Sequence, residues 1–280
     1  MTTLDGKVIL LTGATDGMGR ALAADLARAG ATVLVHGRDP GRIAATAVEV
    51  AEAAQEAGNS RGSTPAVRSY QADFASLAEV RALAEQVLTA EPRLDVLVNN
   101  AGIGVTQPGD GARQESADGI ELRFAVNYLA GYVLSRLLLP LLVSSAPSRI
   151  VNVASIGQQA IEFGDVQLTE GYDGMRAYRQ SKLAQVMNAF DLAAELNGLG
   201  VTVTSLHPAT FMPTKVSPAP PASTIAQGVA ATFRLIAAPA EQTGTGGFFN
   251  GLEEGRANDQ AYDSAARARL REISRELTGL

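Results

Sequence analysis

Short apolar runs alternate with longer stretches rich in alanine and leucine from one end of the chain to the other. The runs at residues 8–12, 32–36, 67–71, 96–99, 150–153, 201–206 and 247–249 predict strands, most of them apolar enough to be buried on both faces. The stretches between them predict helices; residues 20–29, for instance, are dense in Ala and Leu and are closed by Gly30. Strand and helix in alternation imply an α/β fold in which a doubly wound parallel sheet is covered on both sides, and no linker splits residues 1–280 into two domains. Residues 55–65, with Gly58, Asn59, Ser60 and Gly62, predict a polar turn. Residues 132–143 predict a buried helix, and residues 258–277 a charged helix with Tyr262, Ala265, Ala266, Leu270 and Ile273 toward one side. The Pro- and Ala-rich stretch 217–223 follows a strand's carboxyl end, where open α/β sheets bind ligands, so residues 211–226 are a candidate substrate lid.

The first strand runs into Thr12-Gly13-Ala14-Thr15-Asp16-Gly17-Met18-Gly19 and then a helix. Glycines permit backbone angles and close approaches that a Cβ blocks, and the free N–H groups at the helix start suit a diphosphate. Gly13, Thr15, Asp16, Gly17, Met18 and Gly19 are therefore candidate dinucleotide contacts, although any tight strand-to-helix turn would use such glycines. The second strand ends in His36-Gly37-Arg38-Asp39, where a doubly wound sheet places the adenosine ribose. An acid at that end would select NAD, whereas Arg38 suits a 2′-phosphate, so NADP is expected ahead of NAD. Asp39 has two uses, turning to the ribose or pairing with Arg38.

The chain's 280 residues, 46% hydrophobic with a net charge of −6, suffice for one enzyme-sized core. The absence of cysteine removes disulfides, thiolate metal sites and thiol nucleophiles, and fits a reducing cytoplasm. No basic tract supports nucleic-acid binding, and no segment reads as the roughly 20 apolar residues that span a bilayer. His207 has no partner spaced for a metal site, so no metal is expected and a structural role is favoured.

Tyr178 and Lys182 stand four residues apart on a predicted helix, so a phenol and an ammonium share one face. Such a pair also occurs on solvated helices, but a cation beside a phenol favours its ionised form and so could make it a proton donor near neutral pH. With Thr12, Gly13, Gly17 and Gly19 in a TGxxxGxG pattern, Asp73 further on, and Asn99-Asn100-Ala101-Gly102 after the fourth strand, the chain resembles the short-chain dehydrogenase/reductase family over nearly its whole length. Asp118-Gly119-Ile120-Glu121 before Phe124-Ala125-Val126-Asn127, and the long gap from Ser155 to Tyr178, are most similar to its retinol-dehydrogenase-like and protochlorophyllide-reductase-like branches.

The resemblance implies a single Rossmann domain with a seven-stranded parallel sheet, assembled as a homo-oligomer (dimer or tetramer). It implies the catalytic set Asn127, Ser155, Tyr178 and Lys182: Ser155 bonding the substrate oxygen, Tyr178 exchanging its proton, Lys182 depressing the Tyr178 pKa and holding the nicotinamide ribose, and Asn127 binding a water behind Lys182. Further cofactor contacts are implied at Asp73, Phe74, Asn100, Ala101, Gly102 and Pro208, and at Thr210 or Thr214, with Thr214 ahead. Ala209 departs from the family's usual glycine. Ile156, Phe163, Phe211 and Met212 are candidate walls of an apolar pocket. The expected function is an NADP-dependent oxidoreductase that interconverts a carbonyl and an alcohol, working as a reductase of a hydrophobic aldehyde or ketone. The alternatives are a non-redox biosynthetic dehydratase, epimerase or cyclase, and a non-catalytic NADP(H)-sensing protein.

Overall fold

A computed structural model describes residues 4–58, 67–106, 111–217 and 219–280. Most of the predicted polar turn (59–65), part of the segment before Ser116 (107–110) and Pro218 of the candidate lid lie outside the described residues. The strands are β1 (Val8–Leu11), β2 (Thr32–Gly37), β3 (Val67–Gln71), β4 (Val96–Asn99), β5 (Ser148–Val153), β6 (Val201–His207), β7 (Gly247–Asn250) and β8 (Glu253–Gly255). The helices are α1 (Gly17–Arg28), α2 (Pro40–Glu56), α3 (Leu77–Ala90), α4 (Ala130–Ser144), α5 (Gly174–Glu195), α6 (Ile225–Ala237), the short α7 (Ala240–Thr243) and α8 (Ser264–Thr278).

All strands join one sheet in the order β3-β2-β1-β4-β5-β6-β7-β8. The first seven are parallel, as the Rossmann expectation has it, and β8 turns back antiparallel on β7, so the sheet has eight strands where seven were predicted. Alternate residues of β1 feed different cores. Val8 and Leu10 enter the layer beneath α3, α4 and α5, whereas Ile9 and Leu11 enter the layer beneath α1, α2 and α6. The chain reverses direction across the sheet between β1 and β4, and the carboxyl ends of these strands form the crevice that such folds use for ligands.

The predicted helix at 132–143 is longer than the sequence suggested. A π-helical turn, Phe124–Leu129, runs without a break into α4. The continuous helix Phe124–Ser144 spans 21 residues and is long and apolar enough to cross a membrane by length and composition, which corrects the expectation that no such segment exists. In this fold two thirds of it is buried against the sheet and its neighbouring helices. At the carboxyl terminus, residues 258–277 divide into a 3-10 turn, Asp259–Tyr262, and α8, because the Asp263 carboxylate caps α8 by accepting from the Ala265 and Ala266 N–H groups. Helix α8 packs on its own domain. Asp191 of α5 pairs with Arg267 and Arg271, and the Tyr128 hydroxyl hydrogen-bonds that of Ser274.

Candidate active site

The glycine turn is knitted to the segment after β4. The Thr12 hydroxyl accepts from the Asn100 and Ala101 N–H groups at 2.9 and 3.0 Å and donates to the Val98 carbonyl. Asn100 Nδ2 donates to the Thr12 and Gly13 carbonyls, so its carboxamide braces the turn. A Cβ on Gly13 would stand 2.8 Å from Ala101 Cα, and one on Gly19 would collide with the Gly13 carbonyl; Gly13 also has φ +64°. Only glycine permits this packing, and it leaves the amino end of α1 facing the crevice.

His36 is the residue whose part in the turn went unread in the sequence. Its Nδ1 accepts from the Gly13 N–H at 3.2 Å, its Nε2 reaches the Ala72 carbonyl at 3.1 Å, and its ring stacks on Phe74. These partners define the neutral tautomer with the proton on Nε2. Burial pushes its pKa down to about 4. Phe74 is thereby committed to supporting His36, and Asp73 Oδ1 accepts from the Ala75 N–H.

At the end of β2 Asp39 is engaged by its own helix. Its carboxylate caps α2, accepting from the Arg42 N–H at 2.8 Å. Arg38 is exposed and makes no ion pair among the described residues. Thr15 packs against Gly37, where a Cβ would lie 2.6 Å from its methyl group, so the turn and the end of β2 touch. Met18 is buried between α1 and α6, with its sulfur beside the Thr232 hydroxyl and the Gly228 backbone, so only its main chain borders the crevice.

The segment after β6 closes over this turn. Thr214 lies against Gly17, its methyl 3.0 Å from where a Cβ would stand, while the Thr210 hydroxyl bonds His207 Nε2. That favours Thr214 over Thr210 as the threonine beside the turn. Lys215 Nζ donates to Asp16 Oδ2 at 2.5 Å, and Arg42 reaches the same oxygen at 3.4 Å. The Lys215 bond holds the Asp16 carboxyl below its ordinary range against the opposing effect of burial. Pro208 is buried directly after β6.

The four predicted catalytic side chains come together at the ends of β5 and α5. Ser155 follows β5, and its hydroxyl accepts from the Gly157 N–H while bonding the Tyr178 phenol. Asn127 sits in the π-turn; Oδ1 accepts from the Ile103 N–H at 2.8 Å, and Nδ2 donates to the Ile103 carbonyl and the Ser181 hydroxyl. A Cβ on Gly102 would lie 3.2 Å from Asn127 Oδ1 and 3.5 Å from Lys182 Nζ, so the missing side chain opens a cradle between them. Lys182 Nζ donates to the Val153 carbonyl and to Gln185 Oε1 and stands over the Tyr178 ring, 5.8 Å from its centre. Burial raises the Tyr178 pKa, with the Ser155 bond opposing, and lowers that of Lys182 to about 7.

Gln180 of α5 is buried and donates to the Ala160 carbonyl. Two further glutamines complete a set of staples on residues 155–161. Gln158 donates to the Ser155 carbonyl and accepts from the Asn258 N–H; Gln260 accepts from the Ile161 N–H and donates to its carbonyl. Of the expected pocket walls, Ile156 and Phe211 are exposed at 47% and 42%, but Met212 packs on Gly228 and Met18, and Phe163 on the core. Leu252, 50% exposed at the β7–β8 turn, joins Ile156 and Phe211 at the carboxyl ends of three adjacent strands. No cluster of metal-ligating side chains occurs among the described residues.

A parallel doubly wound sheet, a glycine turn at its switch point and a Ser-Tyr-Lys-Asn group beside it define a nucleotide-dependent oxidoreductase class. The short chain dehydrogenase family matches residues 7–220, and the chain belongs to it. Human retinol dehydrogenase 14 is 36% identical over 99% of this chain and 88% of its own length, and human retinol dehydrogenase 13 is 34% identical over 99% and 86%. The match to mouse retinol dehydrogenase 14, 41% identical, covers 73% of this chain and 61% of that protein. The chain thus falls in the retinol-dehydrogenase-like branch and is an NAD(P)-binding oxidoreductase acting on an alcohol or carbonyl. A crystal structure of an uncharacterized protein from Mycobacterium paratuberculosis superposes with a TM-score of 0.78 at 25% identity, covering 100% of this chain and 96% of that one. The Pseudomonas aeruginosa RhlG/NADP complex gives 0.64 at 26%, over 89% and 96%.

Proposed function

We propose that this protein is an NADP-dependent reductase of hydrophobic aldehydes or ketones. The observation that carries the cofactor choice is the division of roles after β2: the Asp39 carboxylate is held in a helix cap, while the Arg38 guanidinium is exposed and free of ion pairs among the described residues. A ribose 2′-hydroxyl thus lacks its acidic partner there, and a 2′-phosphate gains a cationic one.

The residues fit a dinucleotide. The turn at Gly13–Gly19 offers main-chain N–H groups to the diphosphate, Thr214 flanks it, and the cradle at Gly102 is edged by Lys182 and Asn127. Bound there, the reduced nicotinamide supplies a hydride. Ser155 would orient the substrate oxygen, and Tyr178 would deliver a proton to that oxygen as the carbonyl is reduced. The raised Tyr178 pKa keeps the phenol protonated, which suits a proton donor. Lys182 has donors for the nicotinamide ribose, and Asn127, fixed by Ile103 and Ser181, borders the space behind it. Ile156, Phe211 and Leu252 would receive an apolar substrate body.

The test is Tyr178→Phe assayed with NADPH and a straight-chain aldehyde such as decanal. Turnover should fall by roughly three orders of magnitude, within the range that general acid–base groups contribute, while NADPH affinity stays within about twofold. Retained turnover would remove Tyr178 from its role, and tighter binding of NADH than NADPH would overturn the cofactor assignment.

A further inference from the structure

Three residues beside the catalytic group form a buried charged network that the proton chemistry does not use. Arg123 is fully buried and Glu121 is 1% exposed, both just before the π-turn that carries Asn127. Arg123 Nε donates to the Gly104 carbonyl at 2.9 Å, Nη2 donates to the Val105 carbonyl, and Nη1 donates to the Tyr172 hydroxyl at 2.6 Å. The Tyr172 hydroxyl in turn donates to Glu121 Oε1 at 2.8 Å, and Glu121 Oε2 accepts from the Phe124 N–H at 2.7 Å. Arg123 and Glu121 also approach as an ion pair at 3.7 Å. Burial and the adjacent Glu121 carboxylate raise the Tyr172 pKa, so its phenol remains a neutral bridge.

Each partner of this network belongs to a segment that borders the site. Asn127, four residues after Arg123, clamps both main-chain groups of Ile103, so one helix start holds three successive residues, Ile103 to Val105, by side-chain bonds. Tyr172 lies two residues before α5, the helix of Tyr178 and Lys182. Gly174 at its start has no room for a Cβ, which would stand 2.9 Å from the Val105 carbonyl oxygen. On the opposite side, Gly104 abuts the segment after β6: a Cβ there would lie 2.6 Å from the Val216 carbonyl oxygen. Gly104 is therefore a wall held from behind by a planar fork and pressed in front by the same segment whose Thr214 and Lys215 lie against the glycine turn.

A buried ion pair adds little net stability compared with an apolar filling of the same shape. Its value here is geometric, because a guanidinium fixes two carbonyls and a hydroxyl in one plane as no aliphatic side chain can. Taking the redox reading above as its basis, we propose that Arg123, bridged by Tyr172 to Glu121, is a positioning residue. It holds the Ile103–Val105 wall against the segment after β6 and so sets substrate affinity, leaving cofactor affinity unchanged.

The decisive variant is Tyr172→Phe, which removes one hydroxyl from the middle of the network; Arg123→Met is the harsher companion. With NADPH and decanal, Tyr172→Phe should raise KM about tenfold, the scale of one lost hydrogen bond to a charged group, with kcat within threefold and NADPH affinity within twofold. An unchanged KM in the folded variant, or an equal loss of NADPH affinity, would overturn the proposal. Hydrogen exchange read by mass spectrometry on peptides containing residues 103–106 and 212–217 tests the wall even if decanal proves not to be reduced. Both peptides should exchange faster in Tyr172→Phe while peptides of β1 and α1 do not, and identical exchange would overturn the positioning role whatever the reaction.

Discussion

Acidification should unfold this protein through its two histidines before its carboxylates matter. His36 and His207 are both buried, and burial takes each pKa from 6.5 down to about 4. The unfolded chain therefore binds protons between pH 6.5 and 4 that the fold refuses, and stability falls as pH drops through that window and is fully present above it. The complete effect is about 3.4 kcal/mol per histidine, at 1.36 kcal/mol for each pH unit of difference; at pH 5 roughly 2 kcal/mol of it is lost for each. Other groups act elsewhere. Asp16, Asp95 and Asp165 lie below the ordinary carboxylate range, so their contributions disappear only below about pH 4. Lys182 is lowered from 10.5 to about 7, so its effect is a rise in stability from pH 7 upward. Urea unfolding at pH 7.5, 6.5, 5.5 and 5.0 should thus show wild-type stability falling by about 4 kcal/mol in total, by about half that in His36→Gln or His207→Gln, and by little in the double variant. Constant wild-type stability over this range, or the full slope in His36→Gln, would refute the reasoning.

Three other outcomes follow from the site. Arg38→Glu should weaken NADPH binding by at least about tenfold, the scale of a lost charge-assisted bond, and leave NADH binding nearly unchanged in a fluorescence titration. Gly19→Ala should abolish binding of both cofactors, because the added methyl collides with the Gly13 carbonyl; calorimetry detecting NADPH binding at wild-type strength would contradict it. Gln185→Leu removes the side-chain acceptor of Lys182 Nζ, so the Lys182 pKa, already lowered by burial to about 7, should fall further. The high-pH limb of kcat/KM for decanal should then move to lower pH, and an unmoved limb would show that Gln185 does not support the ammonium.

Features encoded over a few neighbouring residues were legible in the sequence. The parallel strands declare themselves because burial on both faces demands runs such as Val8 to Leu11, and the glycine turn because its backbone tolerates nothing larger at Gly13 and Gly19. Tyr178 and Lys182 were paired by helix spacing alone. What stayed hidden depends on which of several available partners a segment or side chain takes in the fold. β8 has only three residues, two of them exposed glutamates, and exists through its pairing with β7. Met212 and Ile156 look equally fit for a pocket, and only the proximity of Gly228 and Met18 puts the first into the core. That Asp39 caps α2 and that Lys182 Nζ takes Gln185 as an acceptor were not announced by the sequence either, since several acceptors and donors lie within reach of each. His36 was passed over because its three partners, Gly13, Ala72 and Phe74, are far apart in sequence.

The glutamine staples give the chain an order of completion. Ser155 is tied through Gln158 to Asn258, and Ile161 to Gln260, so contacts about a hundred residues apart in sequence close the substrate side of the crevice. Chains emerge from the ribosome amino end first. Residues 155–161 therefore gain their final fastening only when residue 260 has emerged. A nascent chain that still lacks residues 258–260 leaves residues 155–161 without these bonds, so the side of the crevice after β5 is completed by the last part of the chain to be made.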